Sequence, residues 1–159
     1  MAVELLAPVA GICALLFALY SAWRVDRYEA GTARMNDISE AIRDGARTYL
    51  NRQYRMIALF VALSAMVLGF VLGPFTALAF VTGAICSALA GYMGMVIAVR
   101  ANVRTAHAAR SELREALMVA FQGGSVMGMM VVGLALLGIY LLYLASKDPF
   151  EVVGLHFIG

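Results

Sequence analysis

The feature that most constrains this chain is a run of 44 residues, 56–99, that contains no charged side chain. A single helix of that length would rise ~66 Å, about twice the ~30 Å hydrocarbon thickness of a bilayer. The run must therefore fold back, and Gly73-Pro74 is the only strong helix breaker inside it. Because proline suits the first turn of a helix, we predict membrane helices over residues 56–72 and 75–99.

Two further charge-free runs, residues 5–23 and 116–146, are each long enough to cross a bilayer. They predict membrane helices over residues 4–23 and 117–145, followed by a tail over residues 146–159. The expected fold class is an all-α membrane protein with four transmembrane helices.

The overall composition excludes other classes of protein. Apolar residues make up 63% of the chain, against roughly 45–50% in a soluble domain. A soluble enzyme cannot bury so many apolar side chains, and a net charge of +2 gives no strong basic field for nucleic acid. We expect a multi-pass integral membrane protein whose first partner is the lipid bilayer.

The basic residues predict the orientation. Of 12 lysines and arginines, 11 lie in two segments, residues 24–55 and 100–114, and only Lys147 lies beyond the last helix. The positive-inside rule makes both arginine-bearing segments cytoplasmic. Both termini and the Gly73-Pro74 turn then face outward, and residues 1–159 form a single membrane domain.

The cytoplasmic segments are predicted to be helical. Apolar residues recur at a helical period from Ile38 onward, and Asp37 with Glu40 matches a capping box. We therefore expect a helix from about residue 37 that continues into the second span. The third helix is expected to extend to about residue 107, and Ser111 is a candidate cap for the fourth.

Small residues four apart predict close helix packing. The candidates lie on the third helix at Gly83, Ser87 and Gly91, and on the fourth at Gly124 and Gly128. Such spacing lets helix backbones approach each other in a membrane. The alternative is the ordinary abundance of glycine in membrane helices.

No ionisable residue lies in the middle of a predicted span, so no ion relay is evident. Asp37, Glu40 and Asp44 alternate with arginines, which favours a solvated, salt-bridged helix face over a metal site. Arg100 and Arg104 are four residues apart and could contact anionic lipid, an anionic substrate or acidic residues of a neighbouring helix. We predict no catalytic, cofactor-binding or metal-binding residue.

Four segments on three of the predicted helices resemble the membrane-bound, ion-pumping inorganic pyrophosphatases. Residues 45–54 (GARTYLNRQY) resemble the entry to that family's second helix. Residues 87–95 (SALAGYMGM) and 98–106 (AVRANVRTA) resemble its third helix, and residues 116–128 (ALMVAFQGGSVMG) its fourth. The likeness extends over roughly residues 31–139, and the string AVRANVRTA at residues 98–106 is the most specific. Gln122 is a departure from the family pattern in the fourth-helix string, because a basic residue is expected just before Gly123-Gly124.

The resemblance implies a bundle of about sixteen helices that works as a homodimer. Such proteins hydrolyse pyrophosphate with Mg²⁺ and move H⁺ or Na⁺ outward. Their acidic motifs begin on the fifth helix, about where this chain stops at Gly159, so we expect no Mg²⁺ to bind the chain itself. Arg52, Arg100 and Arg104 would support the cytoplasmic helix ends.

The resulting hypothesis is the N-terminal four-helix portion of a pyrophosphate-energised ion pump of a prokaryotic cell membrane, inactive on its own. Such a portion would be a truncated or split gene product or an expressed fragment. One alternative is a non-catalytic scaffold or assembly subunit of a split pump, which pairs with a chain carrying the remaining helices. Another is a small four-helix transporter, although this would need an intramembrane ionisable group.

Overall fold

The computed structural model describes the backbone of residues 2–146 and the side chains of residues 5–146. Four helices follow one another: α1 (Ala2–Asp26), α2 (Ala33–Val71), α3 (Pro74–Ala108) and α4 (Leu113–Ala145). All four are long and apolar enough to cross a membrane, and the described residues contain no strand. The prediction of an all-α fold with four membrane-crossing helices is confirmed. The tail predicted at residues 146–159 lies outside the described residues, apart from Ser146.

The turn between α2 and α3 lies at the glycine-proline pair. Gly73 has φ +103°, a conformation that side-chain-bearing residues rarely adopt, and Pro74 is the first residue of α3. The two helices contain 39 and 35 residues, which is ~58 Å and ~52 Å of rise. Both therefore exceed the ~30 Å hydrocarbon layer, and both carry their arginines at the end remote from this turn.

Two helix starts differ from those expected. Helix α2 begins at Ala33 rather than near Asp37, which lies exposed inside the helix and caps nothing. The chain reverses at Gly31 (φ +86°) and the carbonyl of Thr32 already accepts from the amide of Asn36, so the helix starts directly after the turn. Helix α4 is preceded by Glu112, whereas the hydroxyl of Ser111 donates to the carbonyl of Ala108 and so closes the end of α3.

The helices pack in the order α2, α3, α4, α1. The most extensive contacts join α3 to α4 and α1 to α4, while α1 touches α3 only over a short stretch. Helix α2 packs on α3 and, within the described part of the chain, on neither α1 nor α4. Among the described helices, α2 is therefore packed on one side, against α3, and the rest of its surface is not covered by another helix.

Most buried positions of three helices follow a spacing of three and four residues, or their sum of seven. This spacing is typical of helices that pack at a shallow angle. Most of the buried side chains are small, so the backbones come close together. The buried positions on this spacing are Gly11, Ala14, Ala18, Ser21 and Val25 in α1; Ala90, Gly94, Ile97, Ala101 and Ala108 in α3; and Ala116, Val119, Gly123, Val126 and Gly133 in α4.

Candidate functional site at the arginine-bearing end

The last residue of α1 joins two arginines of α3. Asp26 accepts from Arg100 at 3.1 Å (Nη1 to Oδ2) and pairs with Arg104 at 3.4 Å (Nη2 to Oδ1). Arg100 and Arg104 are one helical turn apart, so both guanidinium groups reach one carboxylate. Among the alternatives open from the sequence, the structure thus places these arginines against an acid of a neighbouring helix.

Arg104 is bound more completely than Arg100. Its Nε donates to the carbonyl of Tyr28 at 3.1 Å and its Nη1 donates to the carbonyl of Arg100 at 2.9 Å. Its side chain is only 15% exposed, against 42% for Arg100. With three acceptors around one guanidinium group, Arg104 fixes the chain after α1 on the surface of α3.

A second contact extends this attachment along α3. His107 lies 3.3 Å from the carboxylate of Glu29 (Nε2 to Oε2), which is otherwise exposed. The next turn of chain is tight, because a Cβ on Gly31 would lie 2.9 Å from the sulfur of Met35 and 3.2 Å from Nδ1 of His107. Residues 26–31 are therefore held on α3 by charge and by close packing together.

The remaining acidic residues do not form the salt-bridged face expected from the sequence. Asp37, Glu40 and Asp44 are exposed on α2. In the part of the chain that the structure describes, none of them lies within ion-pair distance of an arginine. The three acids are solvated as expected, whereas the expected ion pairs are absent among the described residues.

The described residues also contain no group of three histidine, cysteine or acidic side chains that could hold a metal ion. Asp26 is already neutralised by two guanidinium groups, and the α2 acids do not converge on one point. These donors do not fit the Mg²⁺ that the family resemblance implies, because Mg²⁺ requires oxygen ligands around one centre.

Most of the small residues predicted from the four-residue spacing are not in close contact with the other described helices. A Cβ built on Gly83, Gly124 or Gly128 would meet nothing within 4 Å. Ser87 is exposed and lines two surface grooves, one between α3 and α4 and the other between α2 and α3. Arg52, the third arginine singled out, is likewise exposed on α2 without an ion pair among the described residues.

Gly91 is the exception, and its role involves a side chain rather than a second glycine. The Tyr54 hydroxyl donates to the carbonyl of Ala88 at 2.8 Å and lies 3.3 Å from where a Cβ on Gly91 would stand. The absence of a side chain at Gly91 lets the hydroxyl reach the α3 backbone. This hydrogen bond joins α2 to α3.

The closest approaches between helices involve glycines that the four-residue spacing did not single out. A Cβ on Gly123 would stand 2.5 Å from that of Ala101, and one on Gly94 would stand 2.6 Å from the side chain of Met127. Between α1 and α4, a Cβ on Gly133 would meet Leu15 at 2.7 Å. The signal that finds these positions is the alternating three- and four-residue spacing of the buried residues, rather than the spacing of four alone.

Four helices are long and apolar enough to cross a membrane, and ion pairs join α1 to α3 at their arginine-bearing ends. These features define a helical segment of an integral membrane protein. The chain belongs to the inorganic H⁺ pyrophosphatase family, whose sequence model matches residues 12–157. It is 47% identical over 153 residues to a K⁺-insensitive pyrophosphate-energized proton pump of Methanosarcina mazei, covering 95% of this chain and 23% of the relative.

Two other relatives are described as pyrophosphate-energized pumps, one for protons and one for sodium. The chain is 45% identical over 158 residues to a K⁺-insensitive pyrophosphate-energized proton pump of Moorella thermoacetica, covering 94% of this chain and 23% of the relative. It is 42% identical over 145 residues to a putative K⁺-stimulated pyrophosphate-energized sodium pump of Bacteroides thetaiotaomicron, covering 87% and 20%. The chain therefore spans less than a quarter of the length of these curated relatives.

Proposed function

We propose that this chain forms the N-terminal four-helix part of a pyrophosphate-energised ion pump that moves H⁺ or Na⁺ out of a prokaryotic cell. The observation that carries the proposal is the 47% identity to a proton pump over 95% of the chain. In the complete pump, further helices would supply pyrophosphate binding and the ion path, and two copies would form a homodimer. Membership of the pump family favours this function over that of a small independent transporter.

The part played by the described residues is structural. In a pump of this kind, Mg²⁺ would neutralise the phosphate charge while carboxylates activate water. Among the described acids, Asp26 pairs with arginines and Glu29 with His107. The others are exposed and form no group of three that could hold a metal ion, so no step of hydrolysis is placed on them. Instead, the contacts of Asp26 with Arg100 and Arg104 would hold the cytoplasmic ends of α1 and α3 together, beside the region where hydrolysis takes place.

The proposal is tested by exchanging the aligned segment between proteins. In the Methanosarcina mazei relative, the aligned residues are replaced by this chain, and pyrophosphate-driven acidification of membrane vesicles is measured. We expect the chimera to pump, because the packing positions and the ion pairs are carried within the exchanged segment. A control that lacks the segment should not pump. A chimera that inserts normally but hydrolyses pyrophosphate no faster than this control would overturn the proposal.

The proposed division of labour has a separate test. The chain is purified, reconstituted in lipid and supplied with Mg²⁺ and pyrophosphate. We expect no release of phosphate above that of empty vesicles, since the described residues bring together no catalytic carboxylates. Clear turnover would show that the chain carries an active site of its own.

A further inference from the structure

The arginine-bearing end of α1 carries two positive charges that the fold does not neutralise. Arg24 and Arg27 are both exposed, and within the described residues neither forms an ion pair. This contrasts with Arg100 and Arg104, which share the carboxylate of Asp26. Arg24 of α1 and Arg27, the residue that follows the helix, are therefore available to an anion from outside the bundle.

Aromatic side chains lie directly beside these charges. The guanidinium carbon of Arg27 stands 3.8 Å from the centroid of the Trp23 ring, and the rings of Trp23 and Tyr20 are 6.2 Å apart. Trp23 is 52% exposed and Tyr20 is 51% exposed. A guanidinium group held over an indole keeps its N–H donors at the edge, where they remain free to bind.

Tyr20, Trp23 and Arg24 share one face of α1 at the helical period. Arg27 is the first residue after α1, and its position over the Trp23 ring places it on the same side. The opposite face is buried in the bundle, where Ala18 is 1% exposed and Val25 is fully buried. The exposed face continues along the helix with apolar side chains such as Leu16, which is 60% exposed. The charged and aromatic group thus lies at the end of a surface suited to lipid chains.

Its position along the membrane also matches the headgroup layer. The stretch of α1 able to span a membrane is Leu5–Asp26, 22 residues long, so Arg24 lies in its last turn and Arg27 directly follows it. Tryptophan and tyrosine are enriched at this level of membrane proteins, where arginine meets the phosphates of anionic lipids. A soluble anion would gain nothing from the apolar surface below, whereas a phospholipid would occupy both parts.

We propose that Tyr20, Trp23, Arg24 and Arg27 form a binding site for an anionic phospholipid. The two guanidinium groups bind the headgroup phosphate, and the acyl chains lie along the exposed apolar face of α1. The lipid then holds one side of this helix end while Asp26 holds the adjoining part of the helix to α3. This site depends on α1 being in a membrane and is independent of the proposed pump.

The test is lipid binding by the purified chain in detergent, measured by native mass spectrometry. Phosphatidylglycerol is compared with phosphatidylcholine of the same acyl chains, because the two share a phosphate and differ in net charge. The parent chain should retain phosphatidylglycerol preferentially. In the variant Arg24→Gln/Arg27→Gln, phosphatidylglycerol affinity should fall about tenfold, since each arginine near anionic lipid contributes a several-fold effect.

A matched control removes the same charge elsewhere. Arg34 and Arg43 are also exposed and lie on α2, so Arg34→Gln/Arg43→Gln should leave phosphatidylglycerol binding unchanged. A single variant, Trp23→Leu, keeps the apolar bulk and removes the ring under Arg27, so affinity should fall about two- to fivefold. If circular dichroism shows that Arg24→Gln/Arg27→Gln does not fold, the phosphatidylglycerol affinity of Trp23→Leu tests the proposal instead.

Three results would overturn the proposal. The first is phosphatidylglycerol affinity that is unchanged in Arg24→Gln/Arg27→Gln. The second is an equal loss in the α2 control, which would indicate attraction to overall charge rather than to a site. The third is displacement of the lipid by inorganic phosphate at matched concentration, which would indicate a site for a soluble anion.

Discussion

Gly123 and Gly124 are consecutive residues of α4 with opposite surroundings. A Cβ on Gly123 would overlap that of Ala101 on α3, at 2.5 Å, whereas a Cβ on Gly124 would meet nothing within 4 Å. The atom opposite Gly123 belongs to the first carbon of a helical side chain, so it can move only if α3 itself moves. The closeness of α3 and α4 therefore depends on a hydrogen atom at one position and tolerates a methyl group at the next.

Substitution by alanine at these two positions is predicted to give contrasting results. Gly123→Ala should lower the free energy of unfolding by about 1–2 kcal/mol, because overpacking outweighs the better helix propensity of alanine. Gly124→Ala is the control and should change it by no more than about 0.5 kcal/mol. Unfolding by sodium dodecyl sulfate in mixed micelles can be followed by the fluorescence of Trp23, the only tryptophan. Equal losses in both variants would contradict the packing described here.

The four-residue spacing of small residues could not separate these two glycines. Gly124 and Gly128 satisfy that spacing, yet a Cβ on either would stand in open space. Gly123 is outside that spacing, yet it is the one in close contact with α3. The distinction lies in the residues around them, because Val119 and Val126 are buried on the same side as Gly123. A spacing of four describes a pair of positions on any face of a helix, and only the longer alternating pattern identifies the buried face.

At the scale of the helices, the four spans could be predicted because lipid excludes charge over a fixed length. The break at Gly73-Pro74 followed from the backbone properties of those two residues. The start of α2 at Ala33 could not be found in the same way. It depends on Asp26 meeting Arg100, a contact across 74 positions of sequence, which holds residues 27–32 in a short connection. A local capping pattern at Asp37 carries no information about that contact.

The ion pairs of Asp26 lead to a prediction for the attachment of α1 to α3. Asp26→Asn should lower the free energy of unfolding by about 1 kcal/mol, because both partners are lost but the carboxylate is partly solvated. Arg104→Gln should cost more than Arg100→Gln, since Arg104 also donates to two backbone carbonyls. In double-mutant cycles, each arginine should couple to Asp26 by about 0.5–1 kcal/mol.

Asp44→Asn is the control for this prediction. It removes the same charge from an acid that is exposed on α2 and has no ion pair among the described residues. The stability of this variant should equal that of the parent chain. A loss as large as that of Asp26→Asn would mean that total charge, rather than the contact with α3, determines the effect.

At the scale of the molecule, the packing order leaves one helix much less covered than the others. Among the described helices, α2 touches only α3, and none of its most hydrophobic 18-residue stretch is buried. An open apolar groove of about 510 Å³ lies beside it, between α3 and α4, and includes Gly83, Ser87 and Gly138 in its lining. The charge pattern along the sequence could predict the four spans but not this order, which depends on how the buried faces match.

The arrangement of charge across the molecule predicts its orientation in the cell. Eleven of 12 basic residues lie toward one end of the helices, so the positive-inside rule places the connection between α3 and α4 in the cytoplasm. The native Cys13 and Cys86 are replaced by alanine, and a single cysteine is introduced at Ser111 or at Leu72. In spheroplasts, whose cytoplasmic membrane is intact, a membrane-impermeant maleimide should label Leu72→Cys directly. It should label Ser111→Cys only after permeabilisation. Both positions are exposed, so a difference in labelling reports the side of the membrane, and the reverse pattern would contradict the orientation.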